Sequence, residues 1–494
     1  MAPCDRPLEK DSSLLQNQLA APPATDRAAT LPARTSPVLD SPVPGSSVTE
    51  RSTSSGLWGL KLVVGAALTV ALMLRPPAPS FQFDAAGYWA AARGLLGDWS
   101  VFGGDVFAIR GVLTSVLYAP AAAATAVFGD SGSGFAVLAE NAVLLAVLGV
   151  VLIPALVGLW RPVTARVVVV SAVGTGVLLG GFAPFPLTDL WAAALLLATV
   201  VALGRGGAPW LLVAGLSAGT AFNLRPAALV PVAAVGVAVL VARRLRGLWF
   251  GLGVAAALVP QVLLNVWRGS TAAPWPEMTG WLTQLQSSYA SYVIRYDTVS
   301  GMPIGSGAIS RRFYCSPAMA QVVDGDGPSS PGELAGTLLA HLPQSVPFAA
   351  EKVGAALHWP LATPYSSTVP GVNGLFALLV TAVAVVGAAA LIRHTVRLGR
   401  SVSLAHVTAL IAWACSAATL VTATTETRFA LPLVLFGLAG CAHVAAGGLR
   451  PSGTAARIWL VGTVVAVVAV FGFGHIGMAH PTEGNGTVAE CAGA

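Results

Sequence analysis

Five charged residues interrupt apolar sequence in this chain, and an ionisable group in such surroundings is by default a candidate for function. Asp84 lies in FQFDAAGYWAAARGLLG, Asp189 in FAPFPLTDLWAAALL, Arg225 in AFNLRPAALVP, and Glu426 with Arg428 in TTETRFALPL. A carboxylate at a membrane edge can stay ionised and still reach a buried groove. A guanidinium suits a phosphate, which it grips through two parallel hydrogen bonds. The functional reading of the set is carboxylates beside a phosphate-binding guanidinium. Asp84 and Asp189 are the candidate catalytic carboxylates, and Arg225 and Arg428 the candidate phosphate ligands. Glu426 would orient Arg428, and Tyr88 and Trp89, one helical turn beyond Asp84, could line a sugar or hold the interface. Each also has a purely structural reading. Asp84 and Asp189 stand where a loop enters an apolar helical run, a favoured place for a capping aspartate. Arg225 can snorkel to the interface, and Glu426 with Arg428 can form a local ion pair.

His341, His358, Trp275, Trp281, Tyr289, Tyr292 and Trp359 fall together in one long polar stretch. Their aromatic faces can stack on sugar rings, or form an interfacial belt or a core of their own. The sequence contains no Walker A motif and no HExxH, and a cytosolic nucleotide or a hydride cofactor is unsupported. The five cysteines show no CxxC spacing, and no metal ligands are assigned.

The elements that must position these residues are membrane helices. The chain has 494 residues, of which 55% are hydrophobic and only 10% charged, and its mean hydropathy is +0.74. Ordinary soluble proteins carry about 25% charged residues. The apolar residues come in blocks near the roughly 20 residues that a spanning helix needs, and inside a bilayer such blocks must be helical. The net charge of +6 does not point to nucleic acid, because the basic residues cluster in short stretches between spans, where membrane topology explains them.

The positive-inside rule then selects a topology. If 111–128 lies on the outer surface without crossing, spans at 57–74, 136–160, 167–182, 190–203, 211–222, 228–241, 248–266, 376–392, 407–422, 431–444 and 460–473 leave every basic cluster between spans in the cytoplasm. The expected fold is an all-α polytopic membrane protein of about 11 transmembrane helices, with juxtamembrane helices on the outer face and one large extracytoplasmic loop. Its expected parts are a disordered cytoplasmic tail (1–56), an N-terminal transmembrane module carrying the outer catalytic loops (57–267), the loop domain (268–370), C-terminal transmembrane helices (371–475) and an extracytoplasmic tail (476–494). An amphipathic helix is expected near 332–359. Cys4 would be cytoplasmic, and Cys415 and Cys441 would lie within spans. Cys315 and Cys491 would both be outside, where disulfides persist; they are either a bridge or two unpaired thiols.

In this setting FDAAGYWAAARGLLG resembles the Asp-x-x-x-Tyr opening of the first outer loop in GT-C glycosyltransferases, integral membrane enzymes that use lipid-linked sugars. Similar features follow in the same order: an outer helix ending in FG, a Pro-Leu-x-Asp loop, the GLSAGTAFNLRPAAL hairpin, NVWRGSTAAPWP at a span exit, and ETRFALP. Two positions depart from the family pattern. Gln82 and Phe83 precede Asp84 in place of a second acidic residue, and Phe429 replaces the usual tyrosine after Arg428.

The resemblance implies a GT-C-like fold and transfer of a sugar from a polyprenyl-phosphate-linked donor to an envelope glycan, glycolipid or protein acceptor on the extracytoplasmic face. Asp84 would be the general base and the reaction would invert. Arg225, Arg428 or a divalent metal ion would neutralise the leaving phosphate, and Asp189 would position the acceptor or share a metal. The Ala-, Val-, Gly- and Arg-rich composition is that of a high-GC bacterium such as an actinobacterium, which makes arabinose or mannose the natural guess. A multi-spanning transporter or lipid flippase is the rival reading, although the chain shows no clear two-fold repeat. A non-catalytic envelope scaffold, with both aspartates as caps, is the third.

Overall fold

The computed structural model describes residues 50–97, 102, 105–300, 308–323, 327–365, 374–399, 402–422, 425–448, 453–482 and 491. The tail expected over 1–56, with Cys4, lies outside them up to residue 49. The chain divides into Met1–Arg51 and one compact unit, Ser52–Ala494.

The first span is α1 (Glu50–Met73). Four short helices follow: α2 (Asp84–Gly97), α3 (Asp105–Ile109), α4 (Thr114–Leu117) and α5 (Ala119–Phe128). The last two occupy the stretch expected on the outer surface. They are broken at Tyr118, and the longer has 10 residues, about 15 Å, or half the hydrocarbon core. Helix α6 (Ser133–Val147) continues through a π-turn at Leu148–Leu152 into α7 (Ile153–Gly158). Pro154 explains that turn: it has no N–H for the helical ladder, and the wider turn absorbs the mismatch.

Five long helices then alternate: α8 (Ala165–Leu179), α9 (Thr188–Arg205), α10 (Ala208–Leu224), α11 (Leu229–Arg243) and α12 (Leu248–Trp267). After the large loop come α17 (Gly374–Leu398), α18 (Leu404–Val421), α19 (Leu431–His443) and α20 (Thr454–Ile476). Among the described residues, nine stretches are long and apolar enough to cross a membrane. One of them, Pro226–Trp267, is 42 residues long and holds both α11 and α12, which reverse at Arg244–Gly247. Helix α10, at 17 residues, is the near-miss, and it packs between α9 and α12. The result is an all-α polytopic membrane protein with eleven helical legs.

Lipid is as apolar as any side chain, so helices associate in it through close backbone packing. Glycine supplies this at two crossings. A Cβ on Gly215 of α10 would lie 2.0 Å from the Phe250 carbonyl oxygen of α12, and one on Gly387 of α17 would lie 1.8 Å from that of Gly437 of α19.

The large loop holds α13 (Thr279–Ser288), strands β1 (Tyr292–Ser300) and β2 (Ala308–Cys315), and helices α14 (Pro317–Ala320), α15 (Pro331–Ala340) and α16 (Leu342–Leu357). The single amphipathic helix expected near 332–359 is thus two. Ser330 Oγ caps α15 by accepting from the Glu333 N–H, and Pro343, which has no N–H, prevents α15 from running on into α16. The sheet is an addition to the all-α expectation. Strands β1 and β2 pair antiparallel, with Arg295 opposite Phe313, and β3 (Pro481–Thr482) joins β2 from beyond α20. Cys315 and Cys491 are disulfide-bonded, with Cα atoms 5.4 Å apart. The C-terminal segment is therefore stapled to the loop by both sheet and sulfur. Tyr292, Ile294, Phe313, Met319 and Phe348 form a small core beneath.

Lys352 of α16 is fully buried under this sheet and donates from Nζ to the Tyr292 carbonyl at 3.1 Å. Burial pushes its ammonium down to about 7. The folded protein then binds this proton only below about pH 7, whereas an unfolded lysine binds it up to about pH 10.4. Folding stability gains from this residue as pH rises across that window. Chemical unfolding of Lys352→Met in detergent should lack that rise, seen against the native chain at pH 7 and pH 10. For the cysteines, thiol labelling of the unfolded protein should tag Cys315 and Cys491 only after reduction.

Candidate functional site

Six connections meet at one end of the helix bundle, and each brings a charged or polar side chain to the same place. Phe83 enters α2 with φ +52°, a strained conformation for a bulky residue. Its ring stacks on Tyr365 with centroids 5.4 Å apart. Tyr365 also meets Phe185 edge-on at 5.0 Å. One tyrosine thus ties the turn before Asp84 to the turn before Asp189.

Asp84 is the first residue of α2, a position where a carboxylate favours the helix dipole. Its Oδ2 accepts from Arg428 Nη2 at 2.6 Å and lies 3.5 Å from Arg110 Nη2. Asp189 is the second residue of α9, and no side chain caps that helix. Its carboxylate pairs with Arg225 and stands 3.7 Å from Arg428 Nη1. Both aspartates are therefore turned toward arginines. Arg225 closes α10 in an extended conformation, and its guanidinium carbon lies 4.0 Å from the centre of the Phe429 ring. Phe429 thus offers an aromatic face to a cation.

Arg428 is the centre. It lies on a short 3₁₀ turn, Thr427–Ala430, and its side chain is 2% exposed. Nε donates to Glu426 Oε2 at 2.6 Å, and Nη2 to Asp84. Nη1 is buried and has no hydrogen-bond acceptor among the described residues. Glu426 is also paired with Arg295 of β1, whose backbone N–H donates to the Thr425 carbonyl at 2.7 Å. Four guanidinium groups thus face three carboxylates, an excess of positive charge. The cluster opens at one end: the Asp84 side chain is 34% exposed, while that of Asp189 is 4%.

Burial alone would raise the Asp84 pKa, but Arg428 and Arg110 outweigh it and hold the carboxyl well below the usual range. Glu426 is likewise lowered, with Arg295 and Arg428 overriding burial. Each carboxylate already has a guanidinium partner, and among the described residues no group of three His, Cys, Asp or Glu could hold a metal ion. The donor set does not fit a resident divalent cation; the arginines supply the positive charge instead.

The structure brings together all six site residues read from the sequence: Asp84, Tyr88, Asp189, Arg225, Glu426 and Arg428. Tyr88 is tied to a further arginine. It is buried, and its hydroxyl accepts from Arg110 Nε at 2.8 Å, which fixes that guanidinium. Arg110, Arg295 and Tyr365 were missed. A signal for the two arginines was present: both lie in connections on the face that the basic clusters avoid, where an arginine needs a reason.

Arg110 is placed by a buried ladder of amides. The next residue, Gly111, sits where a Cβ would lie 2.0 Å from the Asn223 carbonyl oxygen. The backbone N–H of Val112 donates to Gln261 Oε1 at 2.8 Å, and that of Leu113 to Asn223 Oδ1 at 3.0 Å. Gln261 donates on to Asn265, which donates to the Ala273 and Trp275 carbonyls.

Among the loop aromatics, Trp359 and Tyr292 are buried in the protein's own core, and Tyr289 packs on Tyr292 and Phe313. His358 is buried and His341 exposed at the start of α16. Trp275 and Trp281 are about half exposed.

No family model matches the sequence, and no curated protein matches it. Among solved structures the chain is similar to the Archaeoglobus fulgidus oligosaccharyltransferase in its apo form, with a TM-score of 0.40 and 13% identity. The likeness covers 87% of this chain and 56% of the archaeal one, so the chain spans little more than half of that protein's length.

Truncating Arg428 would strand Asp84 and Glu426 at the bundle end. Arg428→Met should cost about 3–5 kcal/mol, the usual loss when one partner leaves a buried ionic network. Unfolding in detergent measures it. Arg428→Lys should recover only part, because one ammonium cannot reach both carboxylates along separate N–H directions.

Proposed function

We propose that this protein is a GT-C-type glycosyltransferase that moves a sugar from a polyprenyl-phosphate donor onto a cell-envelope acceptor at the Asp84 site. The observation that carries this reading is the buried, cation-rich cluster at the bundle end, with Arg428 Nη1 lacking an acceptor and Asp84 at the open side. A phosphate anchored by its lipid at the membrane edge brings oxygens that suit Nη1 and offset the excess positive charge.

The acceptor hydroxyl would meet Asp84. Its oxygen attacks the anomeric carbon as its proton passes to the carboxylate, and the bond from that carbon to the phosphate oxygen breaks with its electron pair leaving on the phosphate. One displacement inverts the centre. Arg225 and Arg428 would stabilise the departing phosphate. In the empty site Asp84 is a weak base, because Arg428 and Arg110 hold it low. A phosphate that draws off Arg428 relieves that restraint, so the base strengthens when the donor is present. Asp189, paired with Arg225, would keep that guanidinium directed at the phosphate.

Sidedness follows from charge. The connections on the face opposite the site carry the basic clusters, so that face is cytoplasmic and the site extracytoplasmic. The transporter reading is weaker, since the charged residues gather at one end of the bundle and not at its middle.

Asp84→Asn keeps the shape of the side chain and removes the base. It should express normally and lose transfer by two orders of magnitude or more, in line with the roughly 10²–10⁴-fold worth of a positioned base. Envelope linkage analysis and the pool of polyprenyl-phosphate sugar in a deletion strain carrying this variant would read it. One linkage should vanish while donor accumulates; near-normal transfer would overturn the assignment. Because Arg428 and Arg110 keep Asp84 ionised in the free protein, its protonation should not limit kcat/KM, which reports the free enzyme's groups, down to about pH 4, the ordinary aspartate range.

A further inference from the structure

At the far end of α11 from the candidate site, an apolar groove and an arginine-rich turn are continuous. The groove, of about 460 Å³, is lined by Ala234, Ala238 and Val241 of α11 and by Leu404, Val407 and Ile411 of α18. The spacings of three and four place each trio on one helical face. Ala242 lines this groove and also a second concavity of about 410 Å³ formed by Arg243, Arg244, Leu245 and Arg246.

The turn presents its charges outward. Arg244 has φ +50° and ψ −128°, a glycine-favouring conformation that stores strain in an arginine. Beside it Gly247 packs against Leu240, where a Cβ would lie 3.1 Å from the Leu240 Cα. The neighbouring element is thereby held down while Arg243, Arg244 and Arg246 stay exposed. Around them Val241, Leu245, Leu248 and Trp249 are also exposed, at 77, 81, 59 and 45%, a surface for lipid with an interfacial tryptophan.

Charge complementarity is one-sided. The five connections on this face, 158–165, 205–208, 243–248, 393–404 and 443–454, contain no Asp or Glu. No carboxylate in these connections answers the three arginines.

We infer that this site binds one anionic phospholipid of the leaflet opposite the candidate active site, with its phosphate on the Arg243–Arg246 turn and an acyl chain along the α11–α18 groove. The groove requires a chain, and the turn requires an anion; a phospholipid is the ligand that offers both from within the bilayer. The inference is independent of the proposed transfer reaction, because α11, 15 residues long, separates the two by about 22 Å.

The test uses the full chain, purified in detergent, delipidated and titrated with phosphatidylglycerol or phosphatidylcholine, with bound lipid counted by native mass spectrometry. One phosphatidylglycerol should bind at least about tenfold more tightly than phosphatidylcholine, given the attraction of each basic residue to anionic headgroups. The triple variant R243Q/R244Q/R246Q should lose that preference. Ala238→Trp, which fills the groove and leaves the arginines intact, should lose the bound lipid. Glycerol phosphate, which has the anion and no chain, should fail to compete. Equal binding of the two lipids, full competition by glycerol phosphate, or unchanged retention in both variants would overturn the proposal. Native unfolding temperatures of both variants serve as the folding control.

Discussion

The buried Arg428 guanidinium is the constraint on which the candidate site rests. Taking a charge out of water costs several kcal/mol even after relaxation, and the loss is recovered only where well-placed opposite charges converge. Arg428 is 2% exposed, and its partners come from α2, α9 and its own turn. Segments separated by more than 300 residues must therefore end at one point. The rest of the site follows from holding them there.

Two devices do this at the level of the backbone. The amide ladder from Asn223 through Gln261 to Asn265 joins α10 and α12 to the turn after Arg110. Buried amides that bond one another and the main chain are costly to disturb, so they specify one arrangement. The hairpin of the large loop supplies the other. Strand β1 lies on the 425–428 segment through the Arg295 N–H, and Lys352 and the Tyr296 hydroxyl anchor it to α16 and the residue that follows it. The loop is thus a wall of the site, tied to the C-terminal segment by β3 and the Cys315–Cys491 bridge.

The two ends of the bundle have opposite characters. At the site end, arginines are paired with carboxylates that they outnumber, and the cluster is largely buried. At the other end, basic residues stand exposed without carboxylates in the same connections. One arrangement holds a compact polar cluster together; the other leaves its charges open to solution.

The membrane architecture was legible in the sequence because it depends on local composition. Apolar blocks of spanning length must be helices, and alternating them by the position of basic residues placed Asp84, Asp189, Arg225, Glu426 and Arg428 on one face. The structure joins all five at that face. What remained hidden depends on contacts between distant segments. That Tyr88 orients Arg110 was not legible, because its partner is 22 residues away. Arg295 lies in YVIRYDTVS, whose aromatic and β-branched residues carry a strand signal that the all-α expectation passed over, and its partner Glu426 lies 131 residues away. Composition and period alone located the apolar helices and gathered these charges at one end of them. Which carboxylate each guanidinium reaches was decided by tertiary structure, because burying a charge selects partners by distance in space and not along the chain.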